Sequence, residues 1–200
     1  MIIGLTGKYC AGKNHAASVL EKRGFAVLDV DKLGHSAIEN KKTEIFSRFG
    51  EDLRDNDGSV NRRLLGEMVF GREKELAALE AIVHPEANRL TVEWLEGQNG
   101  KNCVINAALL HKSVVFPRLD CIILVIAPPL DRLIRAKRRD KLPWAVILRR
   151  LRSQKQFFTQ YSAANADIYK VENSGSGKPR SFASLENRID EILSKLGLEN

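Results

Sequence analysis

The sequence predicts an α/β fold in which a parallel β-sheet is flanked by helices. Near the N-terminus, an apolar run at residues 2–5 is followed by a glycine-bearing stretch, a helical pattern and a second apolar run at residues 25–28. This order is typical of the opening of a parallel sheet. Apolar runs return at residues 103–105, 121–126 and 167–171, so we expect five strands. The 44% hydrophobic and 28% charged content suits a single folded domain over residues 1–200.

The spacing of apolar residues predicts the helices. Ala16, Val19 and Leu20 repeat at helical spacing, and the basic residues and glycine at 22–24 supply a last turn and a C-cap. Later helices are predicted at residues 130–137, at residues 144–158 and, as an amphipathic closing helix, from Leu185 to Leu196.

Residues 32–98 lack clear strand signals, which predicts a helical insertion between the second and third strands. Leu79, Ile82 and Val83 mark one of its helices. The following His84-Pro85 predicts a junction that ends this helix or begins the next, because proline restricts the residue before it.

The positive charge of the chain is concentrated in one segment. The chain has 32 Lys and Arg against 25 Asp and Glu, a net charge of +7. Residues 132–155 hold ten basic residues and one acidic residue, so this segment carries +9 and the rest of the chain −2. A local excess of this kind indicates a polyanionic ligand, either the phosphates of a small molecule or a nucleic-acid backbone.

Composition excludes several classes of protein. Cys10, Cys103 and Cys121 are odd in number and form no CxxC pair, which predicts neither a disulfide framework nor a zinc knuckle and suits the cytoplasm. The first apolar run stops at Leu5 without a basic leader, so no signal peptide is expected. No apolar stretch reaches the length of a membrane span, so no membrane partner is expected.

The glycine-bearing stretch matches the phosphate-binding pattern GxxxxGK from Gly7 to Lys13, between a strand and a helix. In this pattern the loop backbone, here including Cys10, Ala11 and Gly12, directs N–H groups at phosphates, and the lysine reaches the terminal phosphates. The sequence therefore predicts an ATP site. A chance turn is the alternative.

The residues after the lysine depart from this pattern, because Asn14 and His15 stand where a magnesium-binding hydroxyl normally follows. The Asn14 amide oxygen is a hard ligand that can bind Mg²⁺ directly or through water. A degenerate loop in a non-catalytic homologue is the competing interpretation.

Two carboxylates follow the second strand. Open α/β sheets bind ligands at the carboxyl ends of their strands, which is where Asp29 and Asp31 fall. If the backbone stays extended, both point to one side, with one able to orient an attacking hydroxyl and the other to hold a water on the metal. Strand-end or helix-capping roles are the alternatives.

Beyond these motifs, the chain resembles the dephospho-coenzyme A kinase family over nearly its full length. The matching pieces, in order, are IGLTG at 3–7, LDVD at 28–31, His35, Phe49-Gly50, Asp57-Gly58 before Arg62, Val69-Phe70, LEAIVHP at 79–85, Leu109-Leu110, RAKRRD at 135–140, Gln154, Ala166-Asp167 and NSG at 173–175. The resemblance implies a P-loop kinase fold with a helical substrate-binding subdomain at 32–98 and a basic helical lid at 132–160. It also implies ATP and Mg²⁺ as cofactors and dephospho-coenzyme A as substrate.

The resemblance further assigns roles to single residues. It implies that Lys13, Asp31 and Arg139 carry catalysis, with Asp31 as the base and Arg139 as the lid arginine. Arg135, four residues earlier on the same helical face, is expected to help close over the phosphates. Asn173 opens the loop that contacts adenine in the family, with a simple turn asparagine as the alternative.

The chain departs from the family at several positions. Asn14 replaces the hydroxyl, Asn106 replaces a frequent aspartate, and His111-Lys112 replaces an aromatic residue and a glutamate. Because Asn14 and Asn106 are both neutral, fewer charged or hydroxyl ligands remain for Mg²⁺, which puts metal affinity and turnover in question. Another small-molecule or nucleoside monophosphate kinase, or a catalytically weak ATP-binding relative, therefore remains an alternative. A nucleic-acid-binding ATPase is disfavoured because Trp144 is the single aromatic residue within the basic run. We expect no nucleic-acid partner, and a monomer or weak homo-oligomer.

Overall fold

The computed structural model describes residues 1–154, 157–161, 166–175 and 179–198. Lys155, which was counted in the basic segment and the predicted lid, lies outside the described residues, as do residues 176–178 of the loop after the fifth strand. The chain divides into two compact units, one of Met1–Leu28 with Gln98–Asn200 and one of Asp29–Gly97.

The first unit is built on a five-stranded parallel sheet, which confirms the predicted α/β architecture. The strands are β1 Ile2–Gly7, β2 Ala26–Asp29, β3 Cys103–Asn106, β4 Cys121–Ile126 and β5 Asp167–Glu172, in the order β2-β3-β1-β4-β5. β1 pairs with β3 from Ile2↔Cys103 and with β4 from Ile3↔Cys121. The central strand β1 therefore leads directly into the glycine-bearing stretch.

The helices of this unit are α1 Lys13–Lys22, α6 Pro129–Asp140, α7 Trp144–Arg152 and α8 Pro179–Lys195. Ile3 and Leu5 of β1 pack with Leu20 of α1 and Ile189 of α8 in one buried cluster. On the other face of the sheet, the side chains of Leu110 and Leu119 pack directly against β1. A Cβ added at Gly4 would lie 2.7 Å from atoms of both. Apolar side chains thus bury both faces of β1, which explains its continuous apolar sequence.

The second unit is helical, with α2 Val30–Asn40, α3 Lys42–Phe49, α4 Arg62–Val69 and α5 Glu73–Glu96. Its core joins Ala37 of α2, Ile45 and Phe46 of α3, Leu65 of α4 and Val83 of α5. A helix-rich unit needs such a shared apolar core because isolated short helices are marginal in water.

The expected junction at His84-Pro85 is wrong, because α5 runs unbroken through Pro85 for 24 residues. Proline removes one backbone donor from a helix and normally breaks it. Here Val83 and Leu90 pack into the core of the helical unit on either side of the proline. Glu86, 8% exposed, also accepts a hydrogen bond from Asn40 of α2 at 2.7 Å. Packing on both sides therefore outweighs the lost hydrogen bond.

The predicted helix at residues 144–158 ends at Arg152, six residues early, and a short 3₁₀ turn follows at Thr159–Tyr161. Within the described ranges, no helix is long and apolar enough to cross a membrane.

Candidate active site

The loop between β1 and α1 is a tight turn with two residues in positive-φ conformations. Cys10 has φ 59° and Gly12 has φ 101°. The amide of Ala11 donates to the carbonyl of Lys8 at 2.9 Å. The carbonyl of Gly12 then accepts from His15 at 3.0 Å, which begins α1. Lys13, Asn14 and His15 thus occupy the first turn of a helix that follows directly from the loop, where the N-terminal dipole favours anions.

Close contacts account for both glycines of the motif. A Cβ added at Gly7 would lie 2.7 Å from the carbonyl oxygen of Val125 on the adjacent strand. A Cβ added at Gly12 would lie 2.0 Å from Nδ2 of Asn173. Side chains at these two positions would therefore push the loop away from β4 and from the segment after β5.

The buried side chain of Asn173 is hydrogen-bonded to the phosphate loop. It is 3% exposed, its Nδ2 donates to the carbonyl of Ala11 at 2.9 Å, and its own amide donates to Ile126 at 2.7 Å. The side-chain amide is thus hydrogen-bonded to the backbone of the phosphate loop. The adenine contact that the family resemblance implies for Asn173 stays a prediction.

Arg135 connects the same two segments. Its Nη1 donates to the carbonyl of Ala11 at 3.3 Å and its Nη2 to the carbonyl of Asn173 at 3.0 Å. Arg139, one turn later on α6, is exposed and pairs with Asp140 instead. The two arginines that the sequence placed on one face therefore have different partners.

Arg132 is a site residue that sequence reasoning missed. It is 5% exposed, donates from Nε to the carbonyl of Tyr9 at 2.8 Å and from Nη2 to Oε1 of Gln154 at 3.0 Å. The same Gln154 oxygen accepts from the amide of Tyr9 at 2.7 Å. Burial lowers the pKa of Arg132 from its ordinary value. Two features of the sequence could have pointed to Arg132: its position at the start of the basic segment, and the family resemblance that includes its partner Gln154. Neither feature indicates that the Arg132 side chain is buried.

Three charged side chains meet beside Tyr9, and we call Tyr9, Arg139, Asp140 and Arg150 the Tyr9 cluster. The hydroxyl of Tyr9 donates to Oδ2 of Asp140. Arg139 donates to Asp140 from Nε at 2.6 Å and from Nη2 at 3.2 Å, and Nη1 of Arg150 lies 3.6 Å from the same carboxylate. Hydrogen bonds from Arg139 hold the pKa of Asp140 below its usual range. Burial, and then the bond to Asp140, raises the pKa of Tyr9.

Two asparagine side chains meet beside the start of α1. Nδ2 of Asn106, at the end of β3, donates to Oδ1 of Asn14 at 3.4 Å. Asn106 is 2% exposed, and its Oδ1 has no hydrogen-bond partner among the described residues. A buried amide oxygen without a partner is costly, which indicates that a cation or water belongs beside it.

In the helical unit, Asp29 ends β2 and caps α2, since its Oδ1 accepts from the amide of Lys32 at 3.4 Å. Asp31 lies exposed in the first turn of α2. The expectation that both carboxylates share one side of an extended strand is wrong, because the helix already begins at Val30. The Asp29 carboxylate explains this early helix start. It accepts a hydrogen bond from an N-terminal amide of α2, so the helix can begin directly after the strand.

His111, one of the departures from the family, packs against Tyr161 with ring centroids 5.6 Å apart and its Nδ1 3.5 Å from the tyrosine hydroxyl. Burial lowers the pKa of His111. The hydroxyl of Tyr161 also lies 3.2 Å from Oγ1 of Thr6 on β1. This histidine therefore belongs to a packed aromatic group that sequence reasoning did not foresee.

Comparisons with known proteins identify the family of this chain. The dephospho-CoA kinase family model matches residues 1–178. Dephospho-CoA kinase from Treponema pallidum is 32% identical, covering 98% of this chain and 96% of its own. The enzyme of that name from Thermus thermophilus is 34% identical, covering 98% of this chain and 92% of its own.

Solved structures share the fold. A crystal structure of a Thermus thermophilus protein superposes with TM-score 0.79 and 33% identity, covering 98% of this chain and 97% of its own. Shikimate kinase from Bacteroides thetaiotaomicron, at 16% identity and TM-score 0.51 over 97% of this chain and 98% of its own, shares the fold alone. The resemblance stated from the sequence is confirmed, because the family model spans most of the chain and the relatives match it over almost its whole length. This chain belongs to the dephospho-CoA kinase family.

Proposed function

We propose that this chain transfers the γ-phosphoryl group of ATP to the ribose 3′-hydroxyl of dephospho-coenzyme A, giving coenzyme A and ADP. This reaction is the final step of coenzyme A biosynthesis. The observation that carries the proposal is the match of the family model to residues 1–178, which includes the phosphate loop and the arginines packed against it. In the transfer, the bond from the γ-phosphorus to the β–γ bridging oxygen breaks as a bond to the 3′-oxygen forms.

The loop from Gly7 to His15 is proposed to hold the phosphates of ATP. Glycines at 7 and 12 let the backbone approach an anion, and the amides at the start of α1 point toward one. Lys13 adds a positive charge in the first turn of that helix. Because phosphoryl transfer needs positioning and charge neutralisation, we assign Lys13 to the terminal phosphates.

Asp31 is proposed as the base that takes the proton of the 3′-hydroxyl. Asp31 follows the last residue of β2 by two positions in the chain, and open α/β sheets bind ligands at the carboxyl ends of their strands. It is exposed in the first turn of α2 and can be reached by a substrate hydroxyl. Asp31→Asn should lower kcat by about 10²–10⁴-fold, the range for losing a general base.

Arg139 and Arg135, both on α6, are proposed to serve the phosphate site in different ways. Arg139 is exposed and retains its charge at every physiological pH, so its guanidinium can stabilise charge that develops on the transferring group. Arg135 acts more indirectly, because its hydrogen bonds hold the loop backbone at Ala11. Asn173 serves the same loop from the β5 side.

The residues near Asn14 fit a magnesium ion. Oδ1 of Asn106 is buried and lacks a partner among the described residues, and Nδ2 of the same side chain donates to Oδ1 of Asn14 at 3.4 Å. Amide oxygens are hard ligands of the kind Mg²⁺ accepts. A magnesium ion held there would neutralise part of the charge of the ATP phosphates. Asn14 and Asn106 are the residues proposed to hold the magnesium ion. Asp29 keeps the role predicted from the sequence, which is to hold a water molecule on that ion.

The helical unit is proposed to bind the pantetheine arm. It contains a cleft of about 790 Å³. Polar side chains dominate the lining: His35, Ser36, Glu39, Asn40, Asp55, Ser59, Asn61, Arg62 and Arg63. Pantetheine is an extended chain with two amides and a hydroxyl, and this lining offers donors and acceptors for such a chain.

We also propose a cytoplasmic protein that acts as a monomer or weak homo-oligomer without a nucleic-acid partner. Cys10, Cys103 and Cys121 are all free thiols, which suits a reducing compartment. Most of the basic segment sits on α6 and α7, where Arg132 and Arg135 are already engaged with the phosphate loop. That arrangement favours small-molecule phosphates over a nucleic-acid backbone.

A panel of acceptors tests the proposed function. Purified protein with ATP and Mg²⁺ should form ADP rapidly with dephospho-coenzyme A and only slowly with nucleoside monophosphates, shikimate or water. Equal or faster turnover with another acceptor would replace the proposed substrate. Binding of ATP without turnover on any acceptor would identify a catalytically silent relative.

A further inference from the structure

Tyr9 links the phosphate loop to α6 and to the segment that follows α7 through three separate groups. Its amide donates to Gln154, its carbonyl accepts from Arg132, and its hydroxyl donates to Asp140. The backbone contacts fix the position of the loop, and they would form with any side chain at this position. The hydroxyl and the ring make additional contacts that only a tyrosine supplies.

The ring of Tyr9 contacts both arginines of the Tyr9 cluster. The Cζ atoms of Arg139 and Arg150 lie 5.3 Å and 5.8 Å from its centroid, within the distance for attraction between a cation and an aromatic ring. Both guanidinium groups also contact the carboxylate of Asp140. Two positive charges against one negative charge leave the cluster positive, so it still attracts a phosphate.

The orientation of Arg139 suits an incoming anion. Its side chain is 62% exposed, and an arginine at such a position ordinarily samples many rotamers. Here Asp140 engages Nε and Nη2, while Nη1 donates to no described residue. The carboxylate therefore fixes one edge of the guanidinium and leaves the other edge for a ligand.

We propose that Tyr9 is a positioning residue for Arg139, acting through Asp140: its hydroxyl orients the carboxylate, and the carboxylate and ring hold the guanidinium ready for the transferring phosphate. The proposal rests on the proposed role of Arg139 in phosphoryl transfer. An ordered guanidinium loses less conformational entropy when the transition state forms, so its benefit appears in kcat.

A double-mutant cycle tests this assignment. Tyr9→Phe keeps the ring and removes the hydroxyl, and it is measured in the wild-type and in the Arg139→Ala background. In the wild-type background, kcat with dephospho-coenzyme A should fall about ten-fold, which corresponds to one hydrogen bond to a charged group. In the Arg139→Ala background, Tyr9→Phe should cause no further fall. Asp140→Asn should show the same dependence on Arg139.

The control is Tyr169→Phe, which removes a hydroxyl on β5 outside the cluster and should leave kcat unchanged. Thermal unfolding of every variant shows whether it is folded at the assay temperature. An equal fall of kcat in both backgrounds, or an unchanged kcat in Tyr9→Phe, would overturn the positioning role.

The same cycle separates this inference from the proposed function. If the wild-type protein binds ATP but does not phosphorylate dephospho-coenzyme A, the proposed function fails. The positioning role is then decided by calorimetric titration with ATP. Loss of affinity in Tyr9→Phe that disappears in the Arg139→Ala background supports it, and independent losses or no loss overturn it.

Discussion

Replacing Gly12 with alanine tests whether the phosphate loop depends on its contact with Asn173. Gly12 has φ +101°, and an added Cβ would lie 2.0 Å from Nδ2 and 3.3 Å from Cγ of Asn173. Asn173 is 3% exposed and donates to the carbonyl of Ala11 at 2.9 Å. Because the amide is buried and hydrogen-bonded, it must break that bond to make room for the methyl group.

Two costs add in this variant. An alanine in the left-handed region costs about 1–2 kcal/mol. Loss of the buried hydrogen bond adds about 1 kcal/mol, while the Ala11 carbonyl keeps its longer bond from Arg135 at 3.3 Å. We therefore expect Gly12→Ala to lower the free energy of unfolding by about 2–3 kcal/mol. Gly24→Ala is the matched control, with φ +84° and nothing within 4 Å of the added Cβ, so it should lose only the first of these two amounts.

Urea unfolding measures both variants, and calorimetric titration with ATP measures the site. ATP affinity should fall about ten-fold or more in Gly12→Ala, because the loop amides move, and it should stay unchanged in Gly24→Ala. In an Asn173→Ala background the clash is absent, so the cost of Gly12→Ala should shrink toward that of the control. Equal destabilisation by the two glycine variants, with intact ATP binding, would refute the reasoning.

Three further variants test other parts of the molecule. Asn106→Asp should lower the Mg²⁺ concentration that half-saturates ATP binding by about five- to ten-fold, because a carboxylate is a stronger ligand than an amide. Arg132→Lys should weaken ATP binding about ten-fold, since an ammonium group cannot reproduce the two directed hydrogen bonds to Tyr9 and Gln154. Glu86→Gln should lose a pH-dependent part of the stability. The pKa of Glu86 is lowered to about 2, chiefly by hydrogen bonds from Arg89, below the ordinary value of 4.5. Its contribution is therefore complete above pH 4.5 and declines as the pH falls toward 2.

Each of these variants has a control elsewhere in the chain. Asn102→Asp introduces the same charge away from the site, Arg138→Lys alters an exposed arginine of α6, and Glu93→Gln removes an exposed carboxylate that pairs with the same Arg89. An unchanged Mg²⁺ requirement in Asn106→Asp would show that Asn106 does not face the metal. Equal ATP affinities of the two arginine variants would remove Arg132 from the site. For Glu86→Gln, a urea midpoint that stays parallel to wild type between pH 5 and 3 would contradict the assigned pKa.

Much of the fold was predictable because its signals are local. The apolar runs of β1 and β4 are buried on both faces and read as strands without any knowledge of their neighbours. The GxxxxGK pattern likewise predicted the phosphate loop, because its glycines are required where neighbouring atoms leave no room for a Cβ. Pro85 was misread for the opposite reason: packing of Val83 and Leu90 in the helical core keeps α5 continuous, and that packing is not visible locally.

The site was predictable only in outline. Arg132, Arg135 and Arg139 lie within eight residues on α6, yet one supports Tyr9, one supports Ala11 and one pairs with Asp140. Helical spacing places them on the helix but does not identify their tertiary partners. Asp31 was assigned to an extended strand because Asp29 suits both a strand end and a helix cap, and local sequence does not decide between these two roles.

The most direct test of the proposed function is the position of the new phosphate in the product. Dephospho-coenzyme A incubated with the protein, ATP and Mg²⁺ should give coenzyme A, in which ³¹P NMR detects a phosphomonoester coupled to the ribose H3′ proton. The signal should appear in step with ADP and be strongly reduced in Asp31→Asn. A phosphate on any other position, or ADP formed without a new phosphomonoester, would contradict the account.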